Sequence, residues 1–506
     1  MLMSRTLFRA AFWGASLLIL VSCGGESAPI AATSDVQAGA PTAGSTPFIA
    51  FVRLSGVYVK DVKAISYVIG AKAGAAAKPV NVSHTTDALA RAGYLFSQGA
   101  ATLPVVGLYA GRTNAVTVTL TFIDDSRQQL VLNVVAPPYV DPNAVYDRPM
   151  LRKTIGAANP LGFSYFFVKS RLSGPVVIDV DGEVRWTAPV GMNAYSSAFV
   201  QNGFVVGAPD SVMFQRIDLD GRTTSSTVLA SSYTAFHHNI DPGKVGWLGE
   251  FDALYADGRR NIESIVTEFD TSTGAVLKEW DFGAILGDHM RSQGDDPSFF
   301  IRPGIDWFHV NAATYDPRDD SIIASSRENF VIKVDYQTGR ILWILGDPSK
   351  YWYSFPSLRA KALRLSPGGL YPVGQHATSI TSDGLLMLFN NGAPSFNQPA
   401  GAPVGETRPY SAVSAYRIDP VAMTVVEAWR FDYGQTIRSD ICSSVYEAPG
   451  ATMLISYAAA DNRRNARIVG LDGARNVAFD FEYRSVEACT SSWNAVPFRF
   501  DALSYR

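Results

Sequence analysis

The stretch Lys333-Val-Asp-Tyr-Gln-Thr-Gly-Arg-Ile-Leu-Trp343 decides the fold. It reads as a β-branched strand that stops at an Asp, a polar turn closed by Gly, and a second strand that ends on an aromatic residue. Asp and Gly suit such a hairpin because both tolerate the positive φ that tight turns demand. The pattern recurs as Val177-Ile-Asp-Val-Asp-Gly-Glu-Val-Arg-Trp186, Gln215-Arg-Ile-Asp-Leu-Asp-Gly221, Glu268-Phe-Asp-Thr-Ser-Thr-Gly-Ala-Val-Leu-Lys-Glu-Trp280, Tyr416-Arg-Ile-Asp-Pro420 leading to Trp429, and Val469-Gly-Leu-Asp-Gly473. A hairpin returning about every 40 to 85 residues, with no helical periodicity between copies, is the signature of propeller blades. Six copies predict an all-β, six-bladed β-propeller over 150–506, one blade closed by strands from both ends of the domain. Two consecutive β-sandwiches would explain the strands but not the recurring turn. In a propeller Trp186, Trp280, Trp343 and Trp429 are packing residues, and a site belongs on strand ends and loops at the central channel.

Upstream, Phe48-Ile-Ala-Phe-Val-Arg-Leu54, Ala115-Val-Thr-Val-Thr-Leu-Thr-Phe122 and Gln129-Leu-Val-Leu-Asn-Val-Val135 are short β-type runs broken by Gly, Asp and Asn. Alternation of this kind predicts a small β-sandwich over 47–142. The prolines at 137, 138 and 142 end it, since proline cannot serve a central ladder. At the N-terminus Arg5 and Arg9 precede the apolar run Ala10 to Val21, an export signal rather than a membrane span. Leu20-Val-Ser-Cys23 resembles a lipobox, the site where bacterial lipoproteins are cleaved and lipidated. The expected organisation is therefore a signal peptide over 1–22, lipidation on Cys23, and a flexible Ala/Gly/Ser/Pro/Thr tether over 23–46. That implies a periplasmic location on a lipid anchor, with the outer membrane favoured because Gly24 carries no obvious inner-membrane retention signal.

A net charge of -3 over 506 residues, with no Lys/Arg run, argues against nucleic acid as a partner. Besides Cys23 the chain holds Cys442 and Cys489, and an oxidising compartment leaves their pairing open. No phosphate loop or His-Glu metal helix is visible, so no cofactor and no metal are expected.

Histidine is the scarce reagent. Of His84, His237, His238, His289, His309 and His376, three contexts share one form, a short polar turn leading into a β-type run: His237-His-Asn-Ile-Asp-Pro-Gly-Lys244, His309-Val-Asn-Ala-Ala-Thr-Tyr-Asp-Pro317 and His376-Ala-Thr-Ser-Ile-Thr-Ser-Asp-Gly384. If each opens an equivalent strand, all three face one channel. A metal cluster is the rival use of grouped imidazoles. No carboxylate recurs beside them; Asn311 and Thr378 stand there instead, groups better suited to an oxyanion. His84 and His289 are expected on surface or loop. The Asp316, Asp319 and Asp320 group reads as a solvated turn rather than a calcium loop.

The long stretch Asp306-Trp-Phe-His-Val-Asn through Arg327, continuing to Lys333-Val-Asp and Gly339-Arg-Ile-Leu-Trp-Ile-Leu-Gly346, closely resembles the signature of bacterial arylsulfotransferases. His237-His238-Asn239 and Gly374-Gln375-His376, with Asp383-Gly384 and Asn390 downstream, resemble that family's other histidine motifs. The resemblance implies a β-sandwich before a six-bladed propeller and a PAPS-independent exchange between an aryl sulfate donor and a phenolic acceptor. It makes His376 the nucleophile, with His309, Asn311 and Arg327 around the sulfuryl group. One of His237 and His238 belongs there too; neighbours on a strand face opposite sides, and His238 is favoured. A family hydroxyl residue corresponds to Ser443 or Ser444, although a threonine is expected at that place. Oligomeric state stays open, a homodimer included. Two further readings stay open: a non-catalytic propeller lipoprotein that binds a ligand or partner, and an aryl sulfate hydrolase.

The chemistry asks for the same set. A loose sulfuryl-transfer transition state spreads negative charge over equatorial oxygens, so fixed donors do most of the work. Arg327 offers planar, permanently charged donors. A neutral imidazole that takes the sulfuryl group splits the exchange into two steps, with ping-pong kinetics. His309 or His238 serves as acid and base.

Overall fold

The structure, a computed structural model, describes residues 36–506 apart from 97–98, 157, 190–193, 209–210 and 229–231. The expected signal peptide, Cys23 and the first part of the tether lie outside the described residues.

Each recurrent hairpin forms because its Asp satisfies the turn's own amides. The Asp179 carboxylate accepts from the N–H groups of Asp181 and Glu183, Asp270 from Ser272 and Thr273, Asp335 from Thr338, Asp419 from Val421 and Ala422, and Asp472 from Ala474 and Asn476. Gly274 and Gly339 take the left-handed φ that closes two of these turns, 73° and 69°. Every copy is the outer hairpin of a separate antiparallel sheet.

Six such sheets follow in chain order among the described residues. The first joins Tyr165–Lys169, Val176–Asp179 and Val184–Thr187 to Asn494–Phe498 from the far end of the chain. The second runs from Ser197–Val200 to Thr223–Thr227, the third from Tyr233–Pro242 to Val276–Asp281, and the fourth from Val310–Asp316 to Ile341–Leu345. The fifth runs from His376–Ile380 to Thr424–Phe431 and the sixth from Ser444–Ala448 to Val477–Arg484, each with an extra short strand, Arg364–Leu365 and Met150–Lys153. The innermost strands touch in order around a ring, and Phe199 against Phe498, 4.6 Å between centroids, closes it between the second sheet and the first. The chain is an all-β propeller fold. Trp186 and Trp280, both buried, donate their indole N–H groups to Leu219 O and Tyr336 O in the turn of the next sheet, which ties neighbours together.

The preceding part is two sheets sharing one core, Ile49–Ser55 pairing Ala100–Val106 and Val62–Ile69 lying between Val80–Thr85 and Thr113–Phe122. Its boundaries differ from expectation at both ends. The tether was expected to reach residue 46, but Val36 is buried, and Gln37–Ala38 and Thr42–Ala43 pair with Ile49–Ser55. Two-residue strands of Gln, Thr and Ala carry no periodicity to read. The C-terminal Leu503–Tyr505 leaves the propeller and pairs in parallel with Val80–Thr85. Arg185 locks the two parts together. It is buried, paired with Asp179 at 3.2 Å, donates to Gly107 O, and lies 3.5 Å over the Tyr109 ring.

Three further expectations change. His84 is buried and stacks on Tyr505 at 4.5 Å. His289 lies on the helix Phe282–Ser292, capped by the Asp281 carboxylate, where a loop was expected. Asp316 is buried between Lys333 and Arg318 rather than solvated, each 2.7 Å away.

Candidate active site

Inner strands of neighbouring sheets break their alternation where they meet the channel. His238 has φ 60° and His309 φ 53°, Ala377 follows His376 with φ 52°, and Cys442 and Ser443 have φ 54° and 82° just before Ser444–Ala448. Ladder register slips beside three of these places, between His237 and Ile240, Val310 and Ala312, and His376 and Ser379. Such kinks cost energy and re-aim side chains. Here they turn the strand ends into a cavity of about 460 Å³. His237, His238, His309, His376, Arg327 and Glu263 line its polar side; Tyr195, Trp493, Ile441 and Ala488 line the other, with the exposed Arg171 and Glu487.

The kink overturns the expectation that only one of the adjacent histidines faces the channel. Both line the cavity, and their Nδ1 atoms share a hydrogen bond of 2.7 Å. Strict alternation holds for a regular strand, and the left-handed His238 makes this one irregular.

His376 has its tautomer set. Its Nδ1 is 2.7 Å from Asn391 Oδ1 and 3.1 Å from Gly374 O. Both partners are acceptors here, because Asn391 spends its amide N–H groups on Ser439 O and Cys442 O. Nδ1 therefore carries the proton and Nε2 keeps its lone pair. Burial, then the charge of His309, pushes this imidazole down to about 3, so it is neutral. His238 is likewise held well below the usual imidazole range by burial. His309 is the exception. Burial works against its charge, but Glu263, 2.5 Å from its Nδ1, and Asp306, 2.7 Å away, push it up to about 9.

Arg327 is held from two sides. Its guanidinium donates to Glu328 Oε1 and stacks on the Phe396 ring at 4.6 Å, while Glu328 Oε2 accepts the backbone N–H groups of Phe396 and Asn397 at 2.8 Å. The result is a fixed planar cation in the cavity wall.

Three expected residues sit elsewhere. Asn311 is buried and does not line the cavity; its Nδ2 donates to Gln375 O and so ties the fourth sheet to the fifth. Ser443 Oγ bonds Ser439 Oγ and accepts the Ala458 N–H; Ser444 Oγ accepts the Ala495 N–H. Neither serine lines the cavity. The sequence reading missed Glu263, Glu328 and Asn391. Asn390, next to the last of these, accepts the Val373 N–H instead. Glu328 had one signal, its place beside Arg327; Glu263 had none, because a bulge delivers it from the third strand of its sheet.

Cys442 and Cys489, whose pairing the sequence left open, form a disulfide in the cavity wall. The side-chain donors of His237, His238 and Glu263, and of Glu263, Asp306 and His309, lie within 4.8 Å of one another. Their Nδ1 atoms are already engaged, that of His237 with His238 and that of His309 with Asp306 and Glu263, so the cluster shares protons through its own contacts.

A neutral imidazole with a free Nε2 beside a fixed guanidinium and a cationic imidazole is a nucleophile facing an anion site. The pattern that defines the arylsulfotransferase (ASST) family matches residues 152–494. The chain belongs to the arylsulfotransferase family. That membership places it among the sulfotransferases. Two curated relatives are both named arylsulfate sulfotransferase AssT. The one from Escherichia coli O6:H1 is 30% identical over 219 residues, covering 38% of this chain, and the match spans about a third of that relative's length, 34%. The one from Lelliottia amnigena is 22% identical over 541 residues, covering 86% of this chain and 84% of the relative. Among solved structures, a Myceliophteria thermophila β-propeller domain is similar at 12% identity and a TM-score of 0.35, covering 67% of this chain and 90% of that one. A europium-containing methanol dehydrogenase has 11% identity and a TM-score of 0.32, over 76% and 78%.

Proposed function

We propose that this arylsulfotransferase moves a sulfuryl group from an aryl sulfate ester to a phenolic acceptor in two half-reactions, through a sulfohistidine on His376. The observation that carries the reading is the hydrogen bond from His376 Nδ1–H to Asn391 Oδ1, which leaves Nε2 as the free nucleophile. In the first half, Nε2 attacks sulfur, the sulfur–oxygen bond to the aryl group breaks, and the departing phenolate takes a proton from a neighbouring histidine. In the second, the acceptor phenol returns that proton as its oxygen displaces Nε2. Arg327 meets the charge that builds on the sulfuryl oxygens. Tyr195, Trp493 and Ile441 offer the apolar wall that an aryl ring needs. Donor and acceptor are met in the periplasm in this reading, with the chain held at the membrane through a lipid on Cys23.

The test is intact mass of the purified protein with excess 4-nitrophenyl sulfate, wild type beside His376→Ala, while nitrophenolate is followed with and without phenol. One sulfuryl adduct on the wild type alone, discharged faster by phenol, supports transfer. An adduct discharged at the same rate without phenol makes the enzyme a hydrolase, and no adduct with varied donors leaves a binding protein.

A further inference from the structure

We infer that Glu263 acts through His309 and makes that histidine, rather than His238, the acid and base of both half-reactions. The inference rests on the sulfuryl-transfer reading.

Glu263 is out of place for a channel residue. It belongs to Arg260–Phe269, the third strand of its sheet, two strands removed from the inner one. It reaches the cavity because the ladder slips between Phe251 and Ala253, its own φ is 44°, and its N–H is held by the Asp252 carboxylate at 2.7 Å. A left-handed glutamate in a strand persists only where surrounding contacts over-determine it. A carboxylate also opposes the entry of an anionic sulfate ester, so its presence needs a cation that uses it.

His309 is that cation. Its Nδ1 hydrogen-bonds Asp306 Oδ2 at 2.7 Å and forms an ion pair with Glu263 Oε2 at 2.5 Å, so Nδ1 carries a proton. His238 Nδ1 is 4.0 Å from the same Glu263 oxygen and bonds His237 Nδ1 instead, and burial holds His238 well below the usual imidazole range. The groups facing His309 are Glu263 from the third sheet, His238 with His237 behind it, Asp306 on its own segment, and Arg327 and His376 across the cavity. The cations and imidazoles among them discourage a charge on His309; the two carboxylates outweigh them. With Nδ1–H held by carboxylates, Nε2–H is left for the substrate.

The protons balance. As the bond from sulfur to the aryl oxygen breaks, His309 Nε2 gives its proton to that oxygen, and His309 becomes neutral while His376 carries the sulfuryl group. The acceptor's O–H proton then passes to His309 Nε2 as the new sulfur–oxygen bond forms and the sulfur–nitrogen bond breaks, restoring both histidines. Glu263 touches no reacting atom and is a positioning residue.

The test compares kcat/KM against pH for wild type, Glu263→Gln and Glu263→Asp, using 4-nitrophenyl sulfate and phenyl sulfate. The wild type should fall as pH passes about 9. Glu263→Gln, close in size and uncharged, should shift that fall toward the ordinary imidazole range and lose at least roughly tenfold more rate on phenyl sulfate, whose leaving group needs the proton. Glu263→Asp should restore most of the shift. A fall that does not move in Glu263→Gln, or equal losses on both donors, overturns the role of Glu263 while wild-type turnover leaves sulfuryl transfer standing. Absence of turnover and adduct in the wild type on either donor overturns both.

Discussion

Replacing Asn391 by Ala removes the Oδ1 atom that fixes the proton of His376 on Nδ1, and the expected loss follows from what remains. Gly374 O is still 3.1 Å from that nitrogen, so the tautomer is weakened rather than abolished. What disappears is one short bond in a buried site, 2.7 Å, together with the amide donors to Ser439 O and Cys442 O. A net loss of about 1 to 3 kcal/mol for such a group corresponds to roughly a 5- to 160-fold slower sulfuryl step. The assay is a single turnover of 4-nitrophenyl sulfate by excess enzyme, which isolates the first half-reaction. Asn391→Asp keeps an acceptor toward Nδ1–H, so it should retain more of that rate than Asn391→Ala. Folded Asn391→Ala with an unchanged single-turnover rate would refute the reasoning that Nδ1 must be tied for Nε2 to attack.

Other outcomes follow from neighbouring contacts. Arg327→Met leaves Glu328 with its two backbone donors and should cost about 2.7 to 4 kcal/mol of transition-state stabilisation, read as a fall in kcat. Because burial pushes His376 down to about 3, turnover should show no acid fall near pH 6.5; a fall centred there would mean that the nucleophile protonates like a free imidazole. Arg185→Met strands Asp179 as a buried charge and should lower unfolding free energy by about 3 to 5 kcal/mol, measured by urea denaturation. Burial pushes Asp179 up to about 6 in the folded state, above its unfolded value. Its folded form therefore gains protons relative to the unfolded chain, and the destabilisation should be smaller at pH 5 than at pH 8. Cys442→Ser should lower stability by about 2 to 4 kcal/mol under oxidising conditions.

What the sequence determined is local. An Asp that bonds amides two to four residues on, a Gly at positive φ and an aromatic at the end of the next strand act over about ten residues, so six copies announced the outer hairpins and with them the propeller fold. The histidines and Arg327 were legible for the same reason, as scarce reactive residues in an extended motif. Tertiary structure decided what depends on breaks in regularity and on contacts between distant segments. Left-handed His238 put both adjacent histidines in the cavity, a bulge in the third sheet delivered Glu263, and Asn391 rather than Asn390 reached His376. Asn311 was drawn away because its donor found Gln375 O in the next sheet. Gln37 and Tyr505 joined the N-terminal sheets through pairing partners that the sequence alone does not name. Periodicity reports which face of a regular strand is buried; it carries no information about where the strand stops being regular, and that is where this site is built.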